Sequence, residues 1–189
     1  MSYPFCNFTC MEGHLLIAHP LLNDGFFNRS VICLTNQSED GALGFILNFK
    51  TQFKLRDVRP QVKNGNFPIY EGGPVAKDQL FFLHTLGNDI SDSVHVTDDI
   101  YFGGDFQELL HLIEHGKIKS HQVRFFAGYS GWGLDQLNRE IKSQNWLVSQ
   151  DASSELFLWN ADDLWKQQLS EVKESYAIFA NIGFDPSPN

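Results

Sequence analysis

What this chain lacks narrows its class before anything it contains. No apolar run approaches the roughly 18 residues needed to cross a bilayer as a helix, and the opening stretch MSYPFCNFTCMEG has neither a basic flank nor a long apolar segment of the kind that directs export. A cytoplasmic location without membrane contact is the expectation. Cysteine is scarce and odd in number, three in 189 residues, which suits free thiols in a reducing compartment better than a disulfide framework. Cys6 and Cys10 have the spacing of half a metal site, but no second Cys or His pair lies nearby to complete it. Positive charge is short as well: 14 Lys and Arg against 23 Asp and Glu leave a net charge of −9, which repels a phosphate backbone and sets direct nucleic-acid binding at a disadvantage. Between Asp78 and Glu114 there are eight acids and no Lys or Arg, yet these acids do not follow the calcium-loop pattern. No repeat, low-complexity tract or linker divides the chain, so residues 12–183 are expected to form one domain, with 1–11 as an arm and 184–189 as a tail.

What is present is a large apolar fraction, 42%, rich in bulky rings, with 17 Phe and 4 Trp. Short apolar runs at His14 to His19, Ser30 to Thr35 and Ala42 to Asn48 end in turn-forming residues and read as buried strands. NQSEDG between the second and third implies an antiparallel hairpin, which the first run extends to three strands. Further strands are expected at Phe67 to Glu71, Gln79 to His84, Asp92 to Thr97, Ile100 to Phe102 and His121 to Gly128. Asp105 stands where a helix cap belongs, and FQELLHLIEH before Gly116 has the apolar spacing of one helix. Leu134 to Gln144 and a segment from Asp162 or Asp163 through Leu169 add two more, and two turns fit before Pro60. The fold class that results is α+β: a mostly antiparallel sheet, barrel-like or strongly twisted, flanked by about four helices.

Chemistry is harder to locate. Arg29 enters a strand from a loop and is either a clamp for a carboxylate or phosphate or, as the commoner case, paired with an internal acid. Gly72, Gly73 and Pro74 make a rigid turn whose amides could cradle an anion. His84 ends an apolar strand, where a general base and a hydrogen-bonded core residue are both open readings. His111, Glu114 and His115 spell HxxEH, the zinc pattern of inverted metalloproteases, although His115 in a last helical turn is also favoured by the helix dipole. Gly128, Tyr129, Ser130, Gly131, Trp132 and Gly133 read as a glycine-rich turn between a strand and a helix, either an open anion site or a closed packing junction. GYSGW lacks the second glycine of a nucleophile elbow, and the glycine spacing fits neither the dinucleotide fingerprint nor the phosphate-binding loop. Lys50, Lys54, Arg56, Arg59 and Lys63 form the one basic stripe, read as a solvated helix face with contact to an acidic partner or DNA as the alternative.

Taken in order, GHLLIAHP, NRSVICL, GALGFILN, YEGGPV followed by LH, and GYSGWGLDQL followed by NWL resemble the bacterial AlgH/YqgE family over about residues 12 to 170. The resemblance implies one α+β domain without a known cofactor, in a family that carries a transcriptional-regulator label and whose biochemical activity is unsettled. The motif residues carried over are Pro20, Arg29, Ser30, Gly41, Gly44, Asn48, Gly72, Gly73, Pro74, His84, Gly128, Tyr129, Gly131, Trp132 and Gly133. Of these, Arg29, Asn48, Gly72, Gly73, Pro74, His84, Tyr129, Gly131 and Trp132 are the ligand-binding candidates. The expected function is a regulatory domain that binds a small ligand or a protein partner at glycine-rich turns. A hydrolase using His84, Ser130 or the His111 and His115 pair, and a regulator touching DNA through residues 50–63, are the alternatives.

Overall fold

Alternating apolar residues form a branched sheet that curls on itself. The computed structural model describes residues 11–172 apart from 39, 134, 150 and 151; the expected arm up to residue 10, Cys6, Cys10 and the expected tail lie outside the described residues. The first apolar run is β1 (Leu15–Ala18), which pairs antiparallel with β2 (Val31–Ser38), and β2 in turn with β3 (Gly41–Ile46). This is the expected three-stranded unit. β4 (Lys50–Lys54), a one-turn α1 (Leu55–Val58), β5 (Pro68–Glu71), β6 (Val75–His84), β7 (Val94–Thr97) and β8 (Ile100–Phe102) follow. Then come α2 (Phe106–Glu114), β9 (Val123–Gly133), α3 (Gln136–Lys142), β10 (Trp146–Ser149) and α4 (Ala161–Val172).

The strand order is β10-β1-β2-β3-β9-β6-β8-β7, with a branch in which β4 pairs β5 and β5 pairs β9. Every pair is antiparallel except β5 with β9. The two ends of the path are not joined by a ladder, but they meet by packing. Gly13, just ahead of β1, lies against Thr97 of β7, and the Ser154 N–H donates to Asp99 at 3.2 Å. The curl therefore encloses a first core of Leu15, Ile17, Val31, Cys33, Phe45 and Phe126, all fully buried, which α4 closes with Leu164 and Trp165. On the outer face of β5, β6 and β9, α1 and α2 close a second core built on Leu55, Ile69, Phe82, Leu109, Ile113 and Phe125.

β9 is the seam between the cores. Along one edge it pairs with β5 at Phe125 to Ala127 and then with β3 at Ser130 to Gly133, while β6 runs along the other. The buried Arg124 guanidinium pins this seam. It donates to the carbonyls of Leu47 (2.7 Å) and Phe157 (3.1 Å) and lies over the rings of Tyr70 and Phe157. Burial lowers its pKa and the nearby Tyr70 opposes that shift.

Three expectations change here. The stretch Tyr129 to Gly133 is the second half of an 11-residue strand, not a turn. Gly128, at φ +73°, bends the strand where it exchanges β5 for β3, and glycine takes that backbone conformation without steric cost. The helix after it is correspondingly shorter than expected, Gln136–Lys142. Finally, the basic stripe is not a helix face: Lys50 and Lys54 belong to a strand and α1 supplies only four residues, because pairing with β5 competes successfully with two turns of helix.

Candidate functional site

The sequence candidates fall into three separate places. At the first, the β5–β6 connection crosses β9. Gly72 donates to the Ala127 carbonyl at 2.9 Å and accepts from the Ile46 amide and the Ser130 hydroxyl, each at 3.0 Å. A Cβ on Gly72 or Gly73 would fall inside the carbonyls of Gly128 and Tyr129, and one on Gly128 would stand 2.6 Å from the Val75 oxygen. These glycines let one main chain lie directly on another, so the anion-cradle amides of the sequence reading face protein. Pro74 is exposed beyond the crossing and Tyr129 is half-buried, its ring edge-on to Phe81 at 5.7 Å. Further along β9, Gly131 is exposed, whereas Trp132 is buried. Its indole packs with Phe27 and Trp146 and donates to Glu140 Oε2 at 2.9 Å. Trp146 donates to the same oxygen at 2.7 Å and Gln136 to Oε1 at 2.9 Å. Ser130, the nucleophile of the hydrolase reading, is fully buried.

Arg29 and Asn48 meet at a second place. The Asn48 side chain donates to the Arg29 carbonyl (2.9 Å) and accepts from the Val31 amide (2.8 Å), joining the end of one strand to the start of the next. Arg29 has φ 60° and its guanidinium lies over the Trp165 ring at 5.4 Å, rather than on the internal carboxylate expected for it. The third place is the far end of β6. The fully buried His84 accepts the Leu86 amide at Nδ1 (3.2 Å), which leaves the proton on Nε2, facing the Gly103 carbonyl and the Ser93 hydroxyl at 3.0 Å each. Burial lowers its pKa, against a smaller opposing effect of the Gly103 bond. It is a neutral core histidine held on both nitrogens. The His111 and His115 rings lie 4.1 Å apart, tilted by 39°, and His115 Nδ1 donates to the His111 carbonyl. Glu114 between them accepts the Lys63 amide and holds the Asn64 side chain through its carbonyl. Among the described residues no three His, Cys, Asp or Glu side chains converge as a metal site.

An opening lies elsewhere, on the outer face of the β4-β5-β9-β6 layer, and two strand irregularities make it. In β4, Thr51, Gln52 and Phe53 stand opposite the single residue Ile69. In β6, Ala76 to Gln79 stand opposite the single residue Gly128, with Ala76 at φ 50°. Extra residues of this kind bend a strand and re-aim its side chains. The bulges border a groove of about 120 Å³ floored by Ile69, Ala127 and Leu80. Phe53, Val58 and Arg59 form one rim, Asp78 and Gln79 the other. Thr51 stabilises its bulge by donating to the Ile69 carbonyl (2.8 Å) and accepting the Phe53 amide (3.1 Å). Phe53 is left 50% exposed and Val58 39%, beside a second core that α2 covers elsewhere. The sequence reading noted the cations here but not the groove. A bulge is a count of one strand against its partner, so only the pairing shows it.

Residues 15–177 match the family model described as AlgH-like. The chain belongs to the AlgH-like family. A UPF0301 protein of Cytophaga hutchinsonii is 38% identical over 179 residues, spanning 94% of this chain and 98% of its own length. One from Bacteroides thetaiotaomicron is 37% identical across 94% of this chain and 91% of its own. The solution structure of the AlgH protein from Pseudomonas aeruginosa superposes with a TM-score of 0.73 at 25% identity, over 98% of this chain and 99% of that one. A Corynebacterium diphtheriae crystal structure has the same TM-score at 19% identity over 92% and 93% of the two chains, and shows the shared fold alone. This chain thus shares its fold with both solved structures, and among the described residues no helix is long and apolar enough to cross a membrane.

Proposed function

We propose that this AlgH-like chain is a binding domain with no reaction of its own, and that its ligand or protein partner docks in the groove between the bulges of β4 and β6. One observation carries the reading: the bulges of β4 and β6 border an uncovered apolar patch of sheet face at Ile69, Ala127 and Leu80. In this reading Gly72, Gly73 and Gly128 act from beneath. Their close crossing fixes where Val75 leaves β9, and so where the Ala76 to Gln79 bulge stands. The sealed positions of Ser130 and His84 support binding over hydrolysis, since a nucleophile and base must reach their substrate and each other. The regulatory role expected from the family resemblance would then be exercised through the partner bound.

The test is a two-dimensional amide NMR screen of the full chain against small neutral, acidic and zwitterionic fragments. Perturbations centred on Phe53, Ile69, Leu80 and Ala127, and absent in Phe53→Ser, support the groove. A dominant set at Gly72, Gly73, Val75 and Tyr129, with the groove silent, would move the site to the glycine crossing and defeat this reading.

A further inference from the structure

The β4–α1 side of the groove is rich in positive charge. Five cations, Lys50, Lys54, Arg56, Arg59 and Lys63, fall on the β4–α1 segment and its continuation in a chain of net charge −9; Arg59 lines the groove itself, while Lys50 and Lys54 stand opposite Tyr70 and Pro68 on the other face of the β4 edge. The only acid among them, Asp57, is engaged internally, accepting the Lys54 amide at 2.7 Å. Among the described residues the sole ion pair joins Lys77 to Glu71, so no carboxylate neutralises any of these five cations. Lys50, Arg56 and Lys63 are exposed, and Arg59 is held over the Phe106 ring at 6.0 Å, with its Nη1 on the Val58 carbonyl. An acidic protein that gathers unpaired cations on the segment bordering an apolar depression presents a field that attracts anions to that side.

Size and edge chemistry narrow the anion. About 120 Å³ is well short of the roughly 300–1,000 Å³ of pockets that engulf small ligands, and suits one inserted apolar side chain. Among the described residues β4 pairs with β5 alone, so its other edge can run beside an extended chain. Lysines on such an edge discourage a neutral strand from adding to it, whereas a strand that carries carboxylates would gain from them. Phe53, on its bulge, stands between that edge and the groove.

We infer that the groove receives an acidic, extended peptide segment, which inserts one apolar side chain over Ile69 and Ala127 and lays its carboxylates toward Arg59 and along the Lys50-bearing edge of β4. This rests on the groove-binding reading above and names its partner class. Asp78 on the opposite rim makes the attraction one-sided, so the carboxylates belong on the β4 side.

The experiment uses the full chain and fluorescein-labelled heptapeptides with a central Leu flanked by Glu pairs. A central-Gly version, a Lys-for-Glu version, a DNA duplex and the neutral probe N-acetyl-leucinamide are run in parallel. The Leu–Glu peptide is expected to bind saturably, to weaken as salt rises, and to lose about tenfold in affinity in Arg59→Glu and again in the exposed-edge variant Lys50→Glu, which does not touch the core. Asp78→Lys should strengthen it. Equal binding of the Gly-centred peptide, preference for the duplex, or no binding of any acidic peptide overturns the inference. Should N-acetyl-leucinamide alone perturb Phe53, Ile69, Leu80 and Ala127, the groove reading survives without the peptide; should nothing perturb them, both fall.

Discussion

The glycine crossing and the bulged groove lie on the same strands and are built on opposite principles. At Gly72, Gly73 and Gly128 the chain removes side chains so that backbone can touch backbone, and the carbonyl of Gly72 is satisfied by Ile46 and Ser130. At Thr51 to Phe53 and Ala76 to Gln79 it inserts residues so that strands part, and Phe53 and Val58 remain in water. The conspicuous motif serves closure, while the inconspicuous one serves access. Glycine alone does not distinguish the two uses; what the missing Cβ would have met does.

Substitutions should separate a sealed glycine from an open one by about 2 kcal/mol. Gly73→Ala places a methyl against main chain that has no flexible neighbour to yield, and should destabilise by about 3 kcal/mol in urea unfolding. Gly131→Ala, whose Cβ would meet only the Tyr129 ring edge at 3.2 Å, should stay within about 1 kcal/mol. Equal losses at the two would mean that the crossing is looser than described. Glu140→Gln keeps the shape but removes the charge and replaces one of the two acceptor oxygens with a donor NH2, disrupting the bonds from Trp132, Trp146 and Gln136, for an expected loss of about 2 kcal/mol and a shift in tryptophan emission.

The sealed end of β6 should also report on pH. The folded pKa of His84 is depressed below the ordinary 6.5, so the unfolded chain binds the extra proton first. The contribution of His84 is complete above pH 6.5 and is lost as pH falls from there through the folded value. Unfolding midpoints measured across that range should drop in the parent and flatten in His84→Gln; a parallel drop in both would assign the effect to other groups. Cys33, whose thiol burial pushes up to about 12, should resist alkylation in the folded protein and react on unfolding. The smallest effect belongs to the groove: Phe53→Ser should change stability by no more than about 0.5 kcal/mol while abolishing fragment perturbations there. A larger loss would show Phe53 to be a core residue and not a rim.

Much of the fold was legible in residue patterns. The β1–β2–β3 unit, the Asp105 cap, whose carboxylate accepts the Gln107 and Glu108 amides at 2.7 and 3.0 Å, and the buried stripe of Leu109, Leu110 and Ile113 all follow from local chemistry and short-period alternation. The misreadings came where local and long-range signals disagree. Three glycines within Gly128 to Gly133 look like a turn by propensity, but β3 and β6 recruit them into a strand. Lys50 to Arg59 looks like a polar helix, yet β5 offers Lys50 and Lys54 ladder partners. Arg29 looked for a carboxylate and found the Trp165 face, a contact across 136 positions of the chain.

By itself, then, the order of residues determined the α+β class, the membership of the AlgH-like family and the apolar faces of the elements, because these depend on neighbours a few positions apart. Tertiary structure decided which glycines are sealed, where two strands part, and which cations stand beside an uncovered apolar floor. Those properties depend on the register between distant strands, where an added residue on one side has meaning only against the count on the other.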